Sequence, residues 1–270
     1  MIIDFHTHNF PDALAERAMA SLIKTNSSLL KMEGHTDGTA RGARELLSKA
    51  GISRAVVCNI ATNARQESNV NSYAISLISQ GDFFSPLGSV HPDSENKERE
   101  LDRVYAVGIR GIKLHPDYVR IPLADSRYDE IFSLLEERDM FAVVHTGFDP
   151  VSPDFVHATP DMLLEVIKKH TRLKLVAAHM GGLLKAEEVL QKLVGTSIYI
   201  DTSLSSLRID EHDAIVKILK EHDEDRILFG TDTPWSDPKK EIELVATADI
   251  SERRREKIFS NNAIKLLGLE

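Results

Sequence analysis

The residues able to do chemistry in this chain are a few histidines and one aspartate. His6 and His8 lie two apart in the opening Met-Ile-Ile-Asp4-Phe5-His6-Thr7-His8. On an extended strand that spacing sends both imidazoles to the same side, which suits a divalent metal. One His-x-His alone is coincidence more often than a ligand pair, but this one has company. His145 closes Phe141-Ala-Val-Val-His145, His179 closes Leu173-Lys-Leu-Val-Ala-Ala-His179, and Asp232 closes Ile227-Leu-Phe-Gly-Thr-Asp232. Each stands where a parallel strand would leave a sheet. A carboxylate beside neutral imidazoles is a donor set for a first-row metal, Zn²⁺ first, with Mn²⁺ and Fe²⁺ also fitting. The competing reading of any one such histidine is a core residue satisfied by a backbone carbonyl.

Positioning these groups requires elements that end together. Eight β-branched or aliphatic runs recur along the chain: residues 2–6, 55–60, 83–90, 109–114, 141–145, 173–179, 197–202 and 226–231. After the first interval their spacing is about 23 to 33 residues, the length of a βαβ unit. Eight units predict one α/β domain over residues 1–270, a (β/α)8 TIM barrel whose strand ends share one mouth. Asp37-Gly-Thr39 precedes the helical stripe Ala43, Leu46, Leu47, Ala50, and Gly51 fits a left-handed cap. Ile131, Phe132, Leu134 and Leu135 predict a helix between Asp125 and Asp139. Ser94 to Glu100 reads as a solvated helix face. The long first interval, Asn9 to Arg41, reads as an insertion after the first strand, with a short helix and a loop broken at Asn26-Ser-Ser28 and Gly34 to Gly38. It lies where a lid or specificity loop belongs. His35 within it reads as a solvated loop histidine.

The 270 residues are 42% apolar and 28% charged, with 33 basic against 42 acidic side chains and a net charge of -9. That supplies a large core, and its sign excludes an obligate nucleic-acid partner. The one cysteine, Cys58, sits in an apolar run and reads as a small buried hydrophobe. With no internal disulfide, no leader and no run near the roughly 18 apolar residues of a membrane span, the expected location is the cytoplasm. The expected partner is a small-molecule substrate, with no membrane, and a homo-oligomer is left open.

In order through nearly the whole chain stand Asp4-Phe-His6-Thr-His8, Gly111-Ile-Lys113-Leu-His115-Pro, His145-Thr-Gly147, His179-Met-Gly-Gly182, Asp201-Thr-Ser203, Gly230-Thr-Asp232-Thr-Pro-Trp235 and the closing Asn262-Ala-Ile-Lys-Leu-Leu-Gly-Leu. This set resembles the amidohydrolase superfamily, within it the amidohydrolase-related branch of TIM-barrel metal-dependent hydrolases and decarboxylases. The resemblance implies that His6, His8, His145 and Asp232 bind metal and that Asp232 takes a proton from the activated water. It implies that His179 either orients substrate in a one-metal site or ligates a second metal. Lys113 stands where binuclear relatives such as dihydroorotase carry a lysine carboxylated into a bridge, whereas many one-metal members keep an ammonium. One or two ions are therefore expected, two if Lys113 is carboxylated.

His115 either reaches the mouth or begins the turn before Pro116. Asn59, Asn63 and Arg65 follow the second run, His91 the third, His157 the fifth, and Ser203 and Arg208 the seventh. Of these, Arg65 and Arg208 suit a carboxylate held by paired hydrogen bonds. With His115 and His157 they form the expected substrate-binding set. Trp235 either walls the pocket or packs under the last loop. The expected function is a metal-dependent hydrolase of a small C–O or C–N bonded substrate, such as a lactone or amide. The alternative is a non-oxidative decarboxylase of an unsaturated or aromatic acid. A phosphoesterase of the polymerase-and-histidinol-phosphatase type and a TatD-like nuclease share the opening. Motif order disfavours the first; Lys113 and the acidic charge disfavour the second. A non-catalytic binding barrel would leave the ligand set without purpose, although fold alone never proves activity.

Overall fold

The computed structural model describes residues 1–26 and 33–269. Among these, the strands are β1 (Ile3–Thr7), β2 (Arg54–Val57), β3 (Phe84–Pro86), β4 (Gly111–Leu114), β5 (Phe141–Val144), β6 (Lys174–Ala177), β7 (Tyr199–Asp201) and β8 (Ile227–Leu228). Sequential strands pair in parallel, β1 to β3 in one arc and β4 to β8 in another. Two seams close the ring. Lys113 N donates to Gly88 O at 2.8 Å, and at the opposite seam Phe5 N donates to Phe229 O and Asp232 N to His6 O, both at 2.7 Å. The fold is the TIM barrel that the spacing predicts.

The helices outside it are α1 (Asp12–Asn26), α2 (Ala40–Lys49), α3 (Glu67–Ile78), α4 (Lys97–Ala106), α5 (Pro116–Val119), α6 (Arg127–Glu137), α7 (Pro160–Lys169), α8 (Ala186–Lys192), α9 (His212–Glu221) and α10 (Pro238–Thr247), followed by a helical segment ending at Leu267. Thr39 caps α2 by accepting from Gly42 N at 3.0 Å, and Gly51 takes φ +89° just beyond its end. α6 buries Ile131, Phe132 and Leu135. Between β1 and α2 the chain forms α1; the break expected at Ser27–Ser28 lies outside the described residues.

Two packed layers hold the barrel. Ile3, Phe5, Val56, Leu87, Phe141, Val143, Val176 and Leu228 form one cluster, against which Ala263 and Leu266 of the last helical segment pack. Each large side chain buried there contributes about 1.5 to 3 kcal/mol. Gly111 admits the Phe141 ring, which a Cβ would meet at 2.3 Å. A larger cluster lies between strands and helices. Ser94 to Glu100 is a solvated face at Glu95, Asn96, Glu98 and Arg99, but Ser94, Lys97 and Glu100 turn inward. Glu100 is buried, accepting from Asn71 Nδ2 at 3.0 Å and from Arg103 Nη2 at 2.7 Å, and Lys97 is buried with its amine on Glu130. Charges paired within α4 and between α4 and α6, with the Asn71 amide of α3, satisfy one another there, which periodicity alone does not reveal.

Candidate metal centre

The site forms where strands end. β1 departs from regular register between Asp4 and Thr7. Phe5 packs in the cluster with Phe141, yet its neighbour His6 reaches Lys113. Successive residues of a regular strand face opposite ways, so the irregularity lets both turn toward the barrel. His145 follows β5 directly, whereas His179 and Asp232 stand two and four residues beyond their strands. Both adopt left-handed backbone, φ 58° and 67°, and Met180 beside His179 also has φ 58°. Such strain collects at functional sites. Gly147 lets the turn after β5 close on Leu183, whose backbone N a Cβ would approach to 2.1 Å.

Hydrogen bonds fix how each ring presents itself. His6 Nδ1 donates to Asp201 Oδ2 at 2.8 Å, and His8 Nδ1 donates to the Cys58 carbonyl at 3.0 Å. Both rings therefore offer an Nε2 lone pair, in the way that second partners orient metal-binding histidines. His8 Nε2 lies 2.9 Å and His6 Nε2 3.4 Å from Asp232 Oδ1, a buried oxygen that accepts no hydrogen bond. Two donors about 2.1 Å from one ion stand about 3.0 to 3.4 Å apart, so this trio fits a divalent cation. His6, His8 and Asp232 form one ligand-competent group.

His145 stands in a neighbouring group with His115 and Asp149. Its Nε2 faces only acceptors, the Phe148 carbonyl at 3.3 Å and Asp149 Oδ2 at 3.4 Å, so it carries the proton there and leaves Nδ1 as a lone pair. Opposite, 3.0 Å away, is His179 Nε2. Ser203 Oγ donates to Asp201 Oδ1 and so accepts from His179 Nδ1 at 2.8 Å, which makes His179 Nε2 a lone pair as well. Two lone pairs at this distance call for a cation between or beside them. The His179 ring stacks on His6 at 4.9 Å, joining the two groups.

Electrostatics keeps these ligands in the right forms. Burial lowers the pKa of His6, aided by Lys113, and burial with His145 holds His179 well below the usual histidine range. Burial alone would raise Asp232, but His6 and His8 pull it below its ordinary value, so it is a carboxylate. The buried Lys113 places Nζ 3.0 Å from His6 Nε2. Burial pushes the Cys58 thiol up to about 12, leaving it inert, as the sequence suggests.

A cavity of about 430 Å³ opens on these groups. His6, His8, Lys113, His145, His179 and Asp232 line it together with the apolar Phe10, Leu14, Leu22, Leu183, Leu204 and Trp235, of which Leu183, Leu204 and Trp235 cluster with Phe10 and Leu22 packed against them. α1 contributes Leu14 and Leu22, so the segment after β1 does shape the mouth. His115 lines the cavity, its ring stacked on His145 at 4.2 Å.

The other expected substrate contacts are not brought there. Arg65 is exposed outside the cavity. His157 Nδ1 is engaged by Asp117 at 2.9 Å. Arg208 is buried, with its guanidinium donating to His179 O at 2.8 Å, Gly182 O at 3.0 Å and Glu211 at 2.6 Å. It holds the left-handed turn at His179 instead of a ligand. Asn59 lines the cavity but donates to Leu87 O at 3.0 Å, while Asn63 and His35 are exposed and His91 accepts from Asp93 N at 3.1 Å. Sequence reasoning assigned no role to Asp149 or Asp201, although Asp201 ends an apolar run just as Asp232 does.

A family model described as amidohydrolase matches residues 3–269, and the chain belongs to that family. Among solved structures, an uncharacterised TIM-barrel protein of Bordetella bronchiseptica is 20% identical with a TM-score of 0.78, covering 99% of this chain and 98% of that one. A dihydroxybenzoic acid decarboxylase of a Polaromonas species, solved with bound manganese, is 16% identical with a TM-score of 0.75 over 99% and 97%. A putative 2-pyrone-4,6-dicarboxylic acid hydrolase of Pseudomonas putida is 16% identical with a TM-score of 0.68 over 100% and 98%. At these identities the likeness is one of fold. No curated protein matches the chain. Among the described residues no helix is long and apolar enough to cross a membrane.

Proposed function

We propose that this protein is a metal-dependent hydrolase of a small C–O or C–N bonded substrate, a lactone or an amide. The observation that carries the reading is Asp232 Oδ1, buried without a hydrogen bond between the lone pairs of His6 and His8. These three, with His145 and its Nδ1, would hold a divalent ion, Zn²⁺ first. Lys113, if carboxylated, and His179 would hold a second. When bound, such an ion polarises a carbonyl and brings the pKa of water from 15.7 toward about 7.

The remaining work falls to the chain. Asp232, as a carboxylate, accepts the proton that the attacking water sheds and returns it to the leaving group. With a single ion bound, His179, held by Ser203, instead orients the substrate through its Nε2 lone pair, which accepts a substrate N–H or O–H. Asp201 keeps His6 in its tautomer, and the apolar lining excludes bulk water. We assign this activity to one barrel domain over residues 1–270, with a small molecule as partner, in the cytoplasm.

Non-oxidative decarboxylation of an aromatic acid is the second reading. Its support is the apolar lining that shares the cavity with the ligand group, which would strip water from a carboxylate and seat a ring. The Polaromonas decarboxylase with manganese has the same fold. Lactones, amides and aromatic acids offered to Zn²⁺- and Mn²⁺-loaded protein, with hydrolysis and CO₂ release read in parallel, separate the two. On the substrate found, Asp232→Asn should lose at least about a hundredfold in kcat with a smaller change in KM. Near-normal turnover with metal retained would refute Asp232 as the proton acceptor.

A further inference from the structure

Among the described residues, two side chains lining the cavity hold a buried polar atom with no partner, Asp232 Oδ1 and Asn9 Nδ2. Folded proteins seldom leave such groups unsatisfied, and each one asks for an explanation. For Asp232 the explanation is the cation site. Asn9 follows His8 directly and is 4% exposed. Its Oδ1 accepts the Tyr73 hydroxyl at 2.7 Å. Burial raises the Tyr73 pKa, so that hydroxyl keeps its proton and is the donor. The bond fixes which end of the amide is which and leaves two Nδ2 protons for something else. An amide N–H is useless to a cation and useful to an oxygen lone pair.

We infer that Asn9 Nδ2 is a specificity-determining donor that holds a carbonyl or carboxylate oxygen of the substrate, with Tyr73 fixing its orientation. The inference rests on the proposed site at His6, His8 and Asp232, since it seats the substrate in the same cavity. A site built around such a donor rejects analogues that lack the matching acceptor, because the amide is then left unpaired. Asn9 is one residue from His8 and lines the same cavity as His6, His8 and Asp232.

The test uses the full chain loaded with Zn²⁺, its metal content measured on every sample, and two stable probes, benzoate and benzamide, titrated calorimetrically. Asn9→Leu removes the donor. Asn9→Asp keeps the shape and the acceptor for Tyr73 but exchanges donor for acceptor, and so guards against a simple folding defect. A probe that binds the wild type should lose at least about tenfold in affinity in both variants, about 1.4 kcal/mol, with metal content unchanged. Tyr73→Phe should lose less, because the donor persists without its anchor. A loss confined to benzoate identifies a carboxylate as the ligand oxygen, and one confined to benzamide a neutral carbonyl. Unchanged affinity in both Asn9 variants, or no binding of either probe to the wild type, overturns the inference. So does loss of metal from both variants, which would assign Asn9 to the metal centre. Absence of metal from the wild type would instead strike at the proposed function.

Discussion

Asp201 on β7 accepts the Nδ1 proton of His6 on β1 at 2.8 Å and thereby decides which nitrogen of His6 faces the barrel mouth. Its other oxygen accepts from His179 N at 3.0 Å and Ser203 N at 3.1 Å, so one buried carboxylate sets two candidate ligands at once. Asp201→Asn should weaken divalent-metal affinity by roughly ten- to a hundredfold, the usual cost of losing such a partner. Titration of chelator-treated protein measures this. Unchanged affinity would mean that the His6 tautomer is held by something else.

Arg208 braces the backbone at His179 and Gly182, where consecutive left-handed residues need support. Replacing it with Met breaks charge-assisted bonds to two buried carbonyls, each of which keeps only one backbone donor, Gly182 N on His179 O and Lys185 N on Gly182 O, both at 3.1 Å. A destabilisation of about 3 kcal/mol is expected, visible as a lower Tm. If Arg208→Met instead kept its Tm and raised only KM, a substrate-binding role would return.

The carboxyl of Glu241 on α10 accepts from Ser206 N at 3.1 Å and Ser206 Oγ at 2.6 Å, tying down the turn before Arg208. Burial raises its pKa from 4.5 to about 8. Between those values the folded state holds a proton that the unfolded state has released, so stability contributed by this group falls as pH rises through that window. Glu241→Gln removes the titration. Its Tm relative to the wild type should rise by several degrees between pH 5 and pH 8. A constant difference across that range would count against a raised Glu241 pKa.

Much of this arrangement is legible in the sequence because strand period and strand-end residues are local signals. Eight apolar runs place His6, His145 and Asp232 at one end without any knowledge of packing. What loops do is not written locally. Arg65, His157 and Arg208 occupy loops on the expected face, yet one is exposed and two spend their polar atoms on the protein itself. The left-handed turns at His179 and Asp232 carry no glycine to announce them at those positions. Asn9 looks like an ordinary loop residue until its partner Tyr73, 64 positions away, is seen to consume only one end of the amide.

The central claim is that His6, His8 and Asp232 form a divalent-metal site, and elemental analysis of protein prepared without chelator tests it most directly. The account predicts about one tightly held transition-metal ion per chain, or two if Lys113 is carboxylated. It also predicts that the ion is lost from a His6→Asn, His8→Asn double variant, and that the wild type gains thermal stability when Zn²⁺ or Mn²⁺ is restored to the metal-free protein. Wild-type protein that carries no transition metal, and whose Tm is unmoved by either ion, would contradict it.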